Sequence, residues 1–207
     1  MVRSTDHPGR AEKINAIIEI AQKLFGIFGF EKVTMHEIAE ELNMSKASLY
    51  YYFHDKESLY IAVIEKEQGE FLSKITEQMV NIADPSEILR EYAVKRLLFF
   101  HSLLNLGRLR SESFHNLKAD INLVIHNFRE KEKDIIIRIL DKGTRSGTFS
   151  KIDTTGTADL YLDLLRGLRI SIVDKKKEFY LEQEEFNKLM KKTNDFTEIF
   201  IKGLRSS

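Results

Sequence analysis

One face of a short predicted helix carries a cation, a methyl group and two phenols. These residues are Lys46, Ala47, Tyr50 and Tyr51, and they share that face at helical spacing. A polar and aromatic face of this kind can enter a DNA major groove, where its side chains meet base edges and phosphates together. The chemistry expected of these residues is therefore non-covalent recognition of double-stranded DNA.

Capping residues predict the elements that position this face. Ser45 can accept an orphan backbone N–H and begin the helix that carries it. Thr34 followed by Glu37 is a capping box, so an earlier helix begins at Met35. Asn43 tolerates a left-handed backbone and can end that earlier helix. The pattern predicts two short helices joined by a tight turn.

A longer helix, from about residue 12 to residue 28, precedes this pair and is expected to brace it. Gly29 is placed as its left-handed cap, with Phe30 packing back on Phe25. The apolar stripe that should cover the two short helices consists of Ile14, Ile17, Ile18, Ala21, Leu24, Phe25 and Phe28.

Lys46 and Lys56 each stand at the first position of a predicted helix, where the helix macrodipole disfavours a cation. A residue that breaks a local rule often serves a function. A DNA phosphate beside both helix N-termini would satisfy the backbone N–H groups and the lysines together. The alternative is a pair of solvated surface lysines.

Composition indicates an all-α protein. Of the 207 residues, 43% are hydrophobic and 31% are charged, with two prolines and no cysteine. No secretory signal or apolar membrane span is visible, so we expect a soluble cytoplasmic protein without a membrane partner. The net charge is zero, and residues 1–58 contain seven Lys and Arg against nine Asp and Glu. Non-specific electrostatic binding of DNA should therefore be weak, and the local placement of cations decides specific binding.

The remaining chain predicts long helices. One starts at Lys56, capped by Asp55, and runs to about residue 81, so that it connects the first three helices to the later ones. Others are expected from Pro85 to about residue 107, then at 120–142, 154–173 and 184–204, with a turn at 143–147.

The stretch F-G-F-E-K-V-T-M-H-E-I-A-E-E-L-N-M-S-K-A-S-L-Y-Y-Y-F-H-D-K-E-S-L resembles the DNA-binding domain of the tetracycline-repressor family of bacterial transcription regulators. The resemblance covers roughly residues 14–63. It implies an N-terminal three-helix helix-turn-helix DNA-binding domain at residues 1–55. A helical effector-binding and dimerisation domain would then occupy residues 56–207.

The resemblance also implies roles for individual side chains. Tyr50 and Tyr52 would contact phosphates, and Thr34 and Lys56 match phosphate contacts of the family. The side chains nearest the bases would be Lys46, Ala47, Ser48 and Tyr51, while Ser45 begins their helix. The protein would be a homodimer on a near-palindromic operator, most simply a repressor released by a small molecule.

The second half of the chain allows two interpretations, a filled helical core or an effector cavity between helices. If a cavity exists, a largely apolar ligand with one or two polar groups is expected. Its predicted lining is Phe71, Phe99, Phe100, His101, Asn105, Phe128, Tyr161 and Leu165. The stripes on 154–173 and 184–204, including Gly167, Phe196 and Phe200, would pair with those of a second chain.

Catalytic and metal chemistry have little support in the sequence. His101, His115 and His126 fit no compact ligand motif, and no nucleophile elbow is present, so we expect no enzyme, no metal and no cofactor. Two rivals stay open. One is the same fold acting constitutively or under a protein partner, without a small ligand. The other is a helical enzyme or interaction module with an accidental helix-turn-helix.

Overall fold

The computed structural model describes residues 8–107, 118–173 and 181–205, and these ranges contain eight helices. The all-α prediction is confirmed. The helices are α1 (Pro8–Phe28), α2 (Met35–Glu41), α3 (Lys46–Tyr52), α4 (Lys56–Asn81), α5 (Pro85–Gly107), α6 (Lys118–Arg145), α7 (Thr154–Val173) and α8 (Gln183–Leu204).

The predicted caps of the short helices are confirmed. The Thr34 hydroxyl accepts the Glu37 N–H at 3.2 Å, and the Glu37 carboxylate accepts the Thr34 N–H at 2.8 Å. Ser45 accepts the Ser48 N–H at 3.1 Å, which starts α3. Asn43 has a φ of 51°, the left-handed conformation that lets the chain turn between α2 and α3.

Helix α1 begins at Pro8, earlier than predicted, and its end differs from the predicted stripe. Gly29 has a φ of 83°, and the Phe30 ring lies 5.7 Å from that of Phe25, as expected. Phe28 is 54% exposed, so its assignment to the buried stripe is wrong. The left-handed turn at Gly29 brings Phe30 into the inward position instead, where its ring also contacts Tyr60 at 4.8 Å.

Helix α4 is continuous through two hydrophobic cores. Its first turns, including Leu59, close a core formed with α1, α2 and α3. The start of α6 also reaches this core through Ile121 and Val124. Further along α4, Phe71 belongs to the second core, which is built by α4 to α8. The helix therefore connects the two cores mechanically, as its sequence predicted.

The end of α6 corrects the predicted turn at residues 143–147. The helix continues to Arg145, so Gly143 lies in its last turn. A Cβ on Gly143 would come within 2.0 Å of the Phe149 ring, which is buried in the second core. Gly147 supplies the turn, with a φ of 76°. Close packing by Phe149, rather than a turn, therefore requires glycine at position 143.

Candidate nucleic-acid interface and the core of the second domain

Helix α3 presents the predicted face to solvent. Tyr51 is 70% exposed and Tyr50 is 41% exposed, whereas Leu49 is fully buried. Lys46, Ala47 and Ser48 are also exposed, while Tyr52 is half-buried and packs against the first core. The helix thus inserts an apolar residue inward and keeps cationic, hydroxyl and phenol groups outward.

Two cations of α1 join this face, and sequence reasoning missed both. The Arg10 guanidinium carbon lies 5.7 Å from the centroid of the Tyr51 ring. On α3 itself, the Lys46 ammonium lies 5.7 Å from the centroid of the Tyr50 ring. Lys13 lines an open groove of about 750 Å³ beside α3. The available signal was a pair of cations in the first turns of a helix, the same departure that marked Lys46. The groove is lined by Lys13, Asn43, Met44, Ser45, Ala47, Ser48, Tyr51 and Tyr52.

Thr34, predicted to meet a phosphate, has its donors engaged within the chain. Both its hydroxyl and its N–H donate to the Glu37 carboxylate at 2.8 Å. These two bonds, the hydroxyl first, lower the pKa of Glu37, which is therefore anionic at neutral pH. A phosphate at the start of α2 would have to displace this carboxylate.

Lys56 is not a solvated surface lysine. Its ammonium donates to the Phe30 carbonyl at 2.8 Å and to the Val33 carbonyl at 3.0 Å. It also lies 4.4 Å from the centroid of the Phe30 ring. These contacts fix the loop between α1 and α2, and they explain a cation at a helix N-terminus without DNA. A phosphate contact by Lys56 stays a prediction.

Four of the predicted effector-binding residues form one aromatic cluster. Phe71 stacks on Phe99 at 4.7 Å between ring centroids, and Phe128 lies 5.5 Å from Phe99 and 5.9 Å from Phe71. Phe100 contacts Phe99 at 5.3 Å and Phe128 at 6.0 Å. Leu165 is buried in the same core. The rings pack against one another, which favours a filled core over an open ligand cavity.

Two of the other predicted pocket residues make ring contacts with α8. The Tyr161 ring stacks on Phe200 at 4.5 Å, and its hydroxyl lies 3.3 Å from that of Thr197. The His101 ring lies 4.1 Å from that of Phe186 on α8. The side chain of Asn105 lies outside the described part of the chain. Tyr161 nevertheless belongs to the same core as the phenylalanine cluster, and the ligand-binding role of these residues stays a prediction.

A buried ionic group, which the sequence analysis did not identify, crosses from α5 to α6. Arg96 donates to Glu132 through Nε at 2.6 Å and through Nη2 at 3.1 Å. The Tyr92 hydroxyl donates to the same carboxylate. Burial alone would lower the pKa of Arg96, but the charge of Glu132 raises it overall. The available signal was Glu132 four residues from Phe128 and from Ile136, a charged residue at a core position of an amphipathic helix.

The described ranges hold neither a candidate metal cluster nor a membrane-spanning helix. Within residues 8–107, 118–173 and 181–205, no group of three or more His, Cys, Asp or Glu side chains could hold a metal ion. His115 lies outside these ranges. None of the helices found there combines the length and hydrophobicity needed to span a membrane.

Comparison with known proteins agrees with this architecture. Residues 17–63 match the family described as bacterial regulatory proteins, tetR family. A transcriptional regulator from Cytophaga hutchinsonii is 33% identical, with a TM-score of 0.85 over 94% of this chain and 99% of that one. RutR of Escherichia coli is 36% identical over 93 residues, 44% of this chain and 43% of RutR, so this match spans less than half of that relative. QacR of Staphylococcus aureus is 21% identical over 91% of this chain and 96% of QacR.

A three-helix unit with an exposed cationic and aromatic third helix, followed by a helical second domain, is the architecture of a helix-turn-helix transcriptional regulator. The chain belongs to the TetR family of bacterial regulatory proteins.

Proposed function

We propose that this regulator is a homodimeric repressor that binds a near-palindromic operator through α3 and is released by a small effector bound in its second domain. The observation that supports DNA reading most directly is the exposed face of α3, flanked by Arg10 and Lys13. Ala47 at its centre permits close approach to base edges, and the surrounding cations can meet phosphates on both sides.

The dimer interface is proposed on α7 and α8. Leu160 is 54% exposed and Leu164 is 41% exposed, one turn apart on α7, with exposed Gly167 one turn further. On α8, Ile199 is 68% exposed. The predicted interface residues Phe196 and Phe200 instead pack on Tyr161 of their own chain, at 5.8 Å and 4.5 Å. The outward leucines and Ile199 are therefore the better candidates for contact with a second chain.

Coupling between the domains is proposed to follow α4 and the start of α6, because both contribute to the first core and to the second. A ligand that prefers the conformation with misplaced reading helices weakens DNA binding by the same factor that DNA weakens ligand binding. In the dimer, the two copies of α3 should lie about 34–36 Å apart, or a small multiple of that distance.

A second candidate function is regulation without a small ligand. The mutual packing of Phe71, Phe99, Phe100 and Phe128 favours it, because a filled aromatic core leaves a ligand no preformed space. A thermal-shift screen of apolar compounds, followed by DNA-release assays on the hits, distinguishes the two candidates. A ligand present at 100 times its dissociation constant should raise stability by about 2.7 kcal/mol if it binds only the folded state.

The DNA-reading proposal is tested by selecting binding sites from random duplexes. Lys46→Ala and Tyr51→Ala should change the preferred sequence, because each removes a side chain from the reading face. Lys74→Ala is the matched control, since it removes an exposed cation from the distal half of α4. If both α3 variants keep the wild-type preference and affinity, the reading helix is misassigned.

A light-scattering measurement tests the dimer. Leu160→Asp combined with Ile199→Asp should give soluble monomers, because two charges would be buried at the interface. Val80→Asp is the control, since Val80 is 81% exposed on α4. An unchanged dimer in the double variant would locate the interface elsewhere.

A further inference from the structure

Two arginines and one carboxylate meet in the second domain, and the carboxylate bonds one of the arginines and a tyrosine. Glu132 accepts two hydrogen bonds from Arg96 and one from the Tyr92 hydroxyl. The residue is only 1% exposed, so bulk solvent does not reach its oxygens. Its single negative charge is therefore compensated mainly by Arg96, to which it is hydrogen-bonded.

Arg169 of α7 approaches the same place without such a partner. Its Nε is buried and has no hydrogen-bond acceptor among the described residues. Its guanidinium carbon lies 4.5 Å from the centroid of the Phe100 ring, and that of Arg96 lies 4.7 Å from the same centroid. Burial, followed by repulsion from Arg96, lowers the pKa of Arg169 to about 10. The group is still cationic at neutral pH.

Among the described residues, this arrangement leaves one positive charge in excess. Arg169 as a whole is half-buried, and a cation partly withdrawn from water without an anion is costly, a cost that an apolar group would avoid. A locally unfavourable residue of this kind often belongs to a binding site, where an incoming ligand supplies the missing partner. The missing partner here is an anion with an oxygen that can accept from Nε and a neighbouring N–H.

The surroundings of Arg169 indicate what the anion is attached to. Phe100, which lies against the guanidinium, is also part of the aromatic cluster with Phe99 and Phe128. An acid group at Arg169 therefore has an apolar surface directly next to it. A carboxylate on an aliphatic or aryl-alkyl chain fits both features.

We propose that Arg169 binds the acid group of the effector, so that the ligand of this regulator is an apolar carboxylic acid rather than a neutral or cationic compound. The inference rests on the proposed effector function and specifies the chemistry of its ligand. Arg96 is less suited to the ligand, because its charge is already compensated by Glu132 through bonds from Nε and Nη2.

The experiment compares probes that differ in charge but share a chain. Decanoate and phenylbutyrate are titrated into the full-length protein by calorimetry, beside their neutral amides and the corresponding amines. The proteins are the wild type, Arg169→Gln and Arg166→Gln. Arg166 is the matched control because it is an exposed arginine one turn earlier on the same helix.

In the wild type, at least one acid should bind about tenfold or more tightly than its amide, as expected for a hydrogen bond to a charged group. That preference should disappear in Arg169→Gln and persist in Arg166→Gln. Binding of the amide should change little in either variant, a pattern that a merely structural role of Arg169 would not produce.

Three results would overturn the inference. Amides or amines that bind as tightly as the acids, and release DNA, would leave the effector proposal standing and exclude the acid. A preference for the acid that survives in Arg169→Gln would place the anion elsewhere. If no probe of any charge binds, the effector proposal and the acid site both fail, while DNA binding by α3 is judged separately from site selection.

Discussion

The capping contacts that position α3 are local in sequence, whereas two ion pairs of the second domain join distant helices. Thr34 bonds Glu37, and Ser45 bonds Ser48, each over three residues. In the second domain Arg96 bonds Glu132 over 36 residues. Arg90 of α5 bonds Glu198 of α8 over 108 residues.

Because of this difference, the two regions respond differently to a change in one residue. In the first region, caps and turns position α3 while its core is apolar, so the exposed face can vary without disturbing the fold. In the second, charges lie inside the core, and the stability of the domain depends on whether each one is paired. A ligand that changes that pairing can act on the fold itself.

The largest effect is expected from breaking the buried Arg96–Glu132 pair of the second domain. Glu132→Gln removes the anion that holds Arg96 and leaves this buried arginine without its counter-ion, so the free energy of unfolding should fall by about 3–5 kcal/mol. Urea denaturation measures the loss. The double variant Arg96→Met with Glu132→Met should lose much less, because no charge is left unpaired. If Glu132→Gln is no less stable than the double variant, Glu132 does not compensate the charge of Arg96.

A pair of glycine variants tests close packing at the end of α6. Gly143→Ala should cost about 1–3 kcal/mol, because its Cβ would overlap the buried Phe149 ring. Gly69→Ala is the matched control, since no atom lies within 4 Å of its Cβ position. That variant should gain up to about 1 kcal/mol from helix propensity. Equal thermal stabilities for the two variants would contradict the packing explanation.

Lys56 makes a non-local contact in the first region, since it bonds carbonyls more than twenty residues earlier. Lys56→Met should lower stability by about 1–3 kcal/mol, because the Phe30 and Val33 carbonyls lose their donor. Hydrogen exchange should show the loss in the loop between α1 and α2, with Lys74→Met as the control. If Lys56 also contacts a phosphate, the salt slope of DNA binding should fall by about one unit in the folded variant. An unchanged slope would assign it a structural role alone.

The smallest effect concerns a local cap. Ser45→Ala should cost about 1 kcal/mol, because the Ser48 N–H loses its acceptor, and faster hydrogen exchange should be confined to α3. Ser45→Asn keeps an acceptor at this position and should retain most of the stability. Exchange that spreads into α7 or α8 would show that the two regions are not as separable as their contacts indicate.

The amino-acid sequence by itself determined the helices, the caps of the first region and the face of α3. Those features depend on residues within about one helical turn of each other, so spacing and residue type are sufficient. The left-handed Asn43 and Gly29 and the capping box at Thr34 all follow from short-range preferences. Local spacing predicted that both Phe28 and Phe30 would be buried. Only Phe30 is, because its ring packs against Tyr60.

Tertiary structure alone decided the contents of the second core. The sequence marked Phe99, Phe128 and Tyr161 as candidate pocket residues but could not show that Tyr161 packs with α8 and the two phenylalanines with each other. Nor could it show that Arg96 finds Glu132 while the Nε of Arg169 has no acceptor among the described residues. Such contacts join α5, α6 and α7, and their partners are chosen by helix packing, about which a local pattern carries no information.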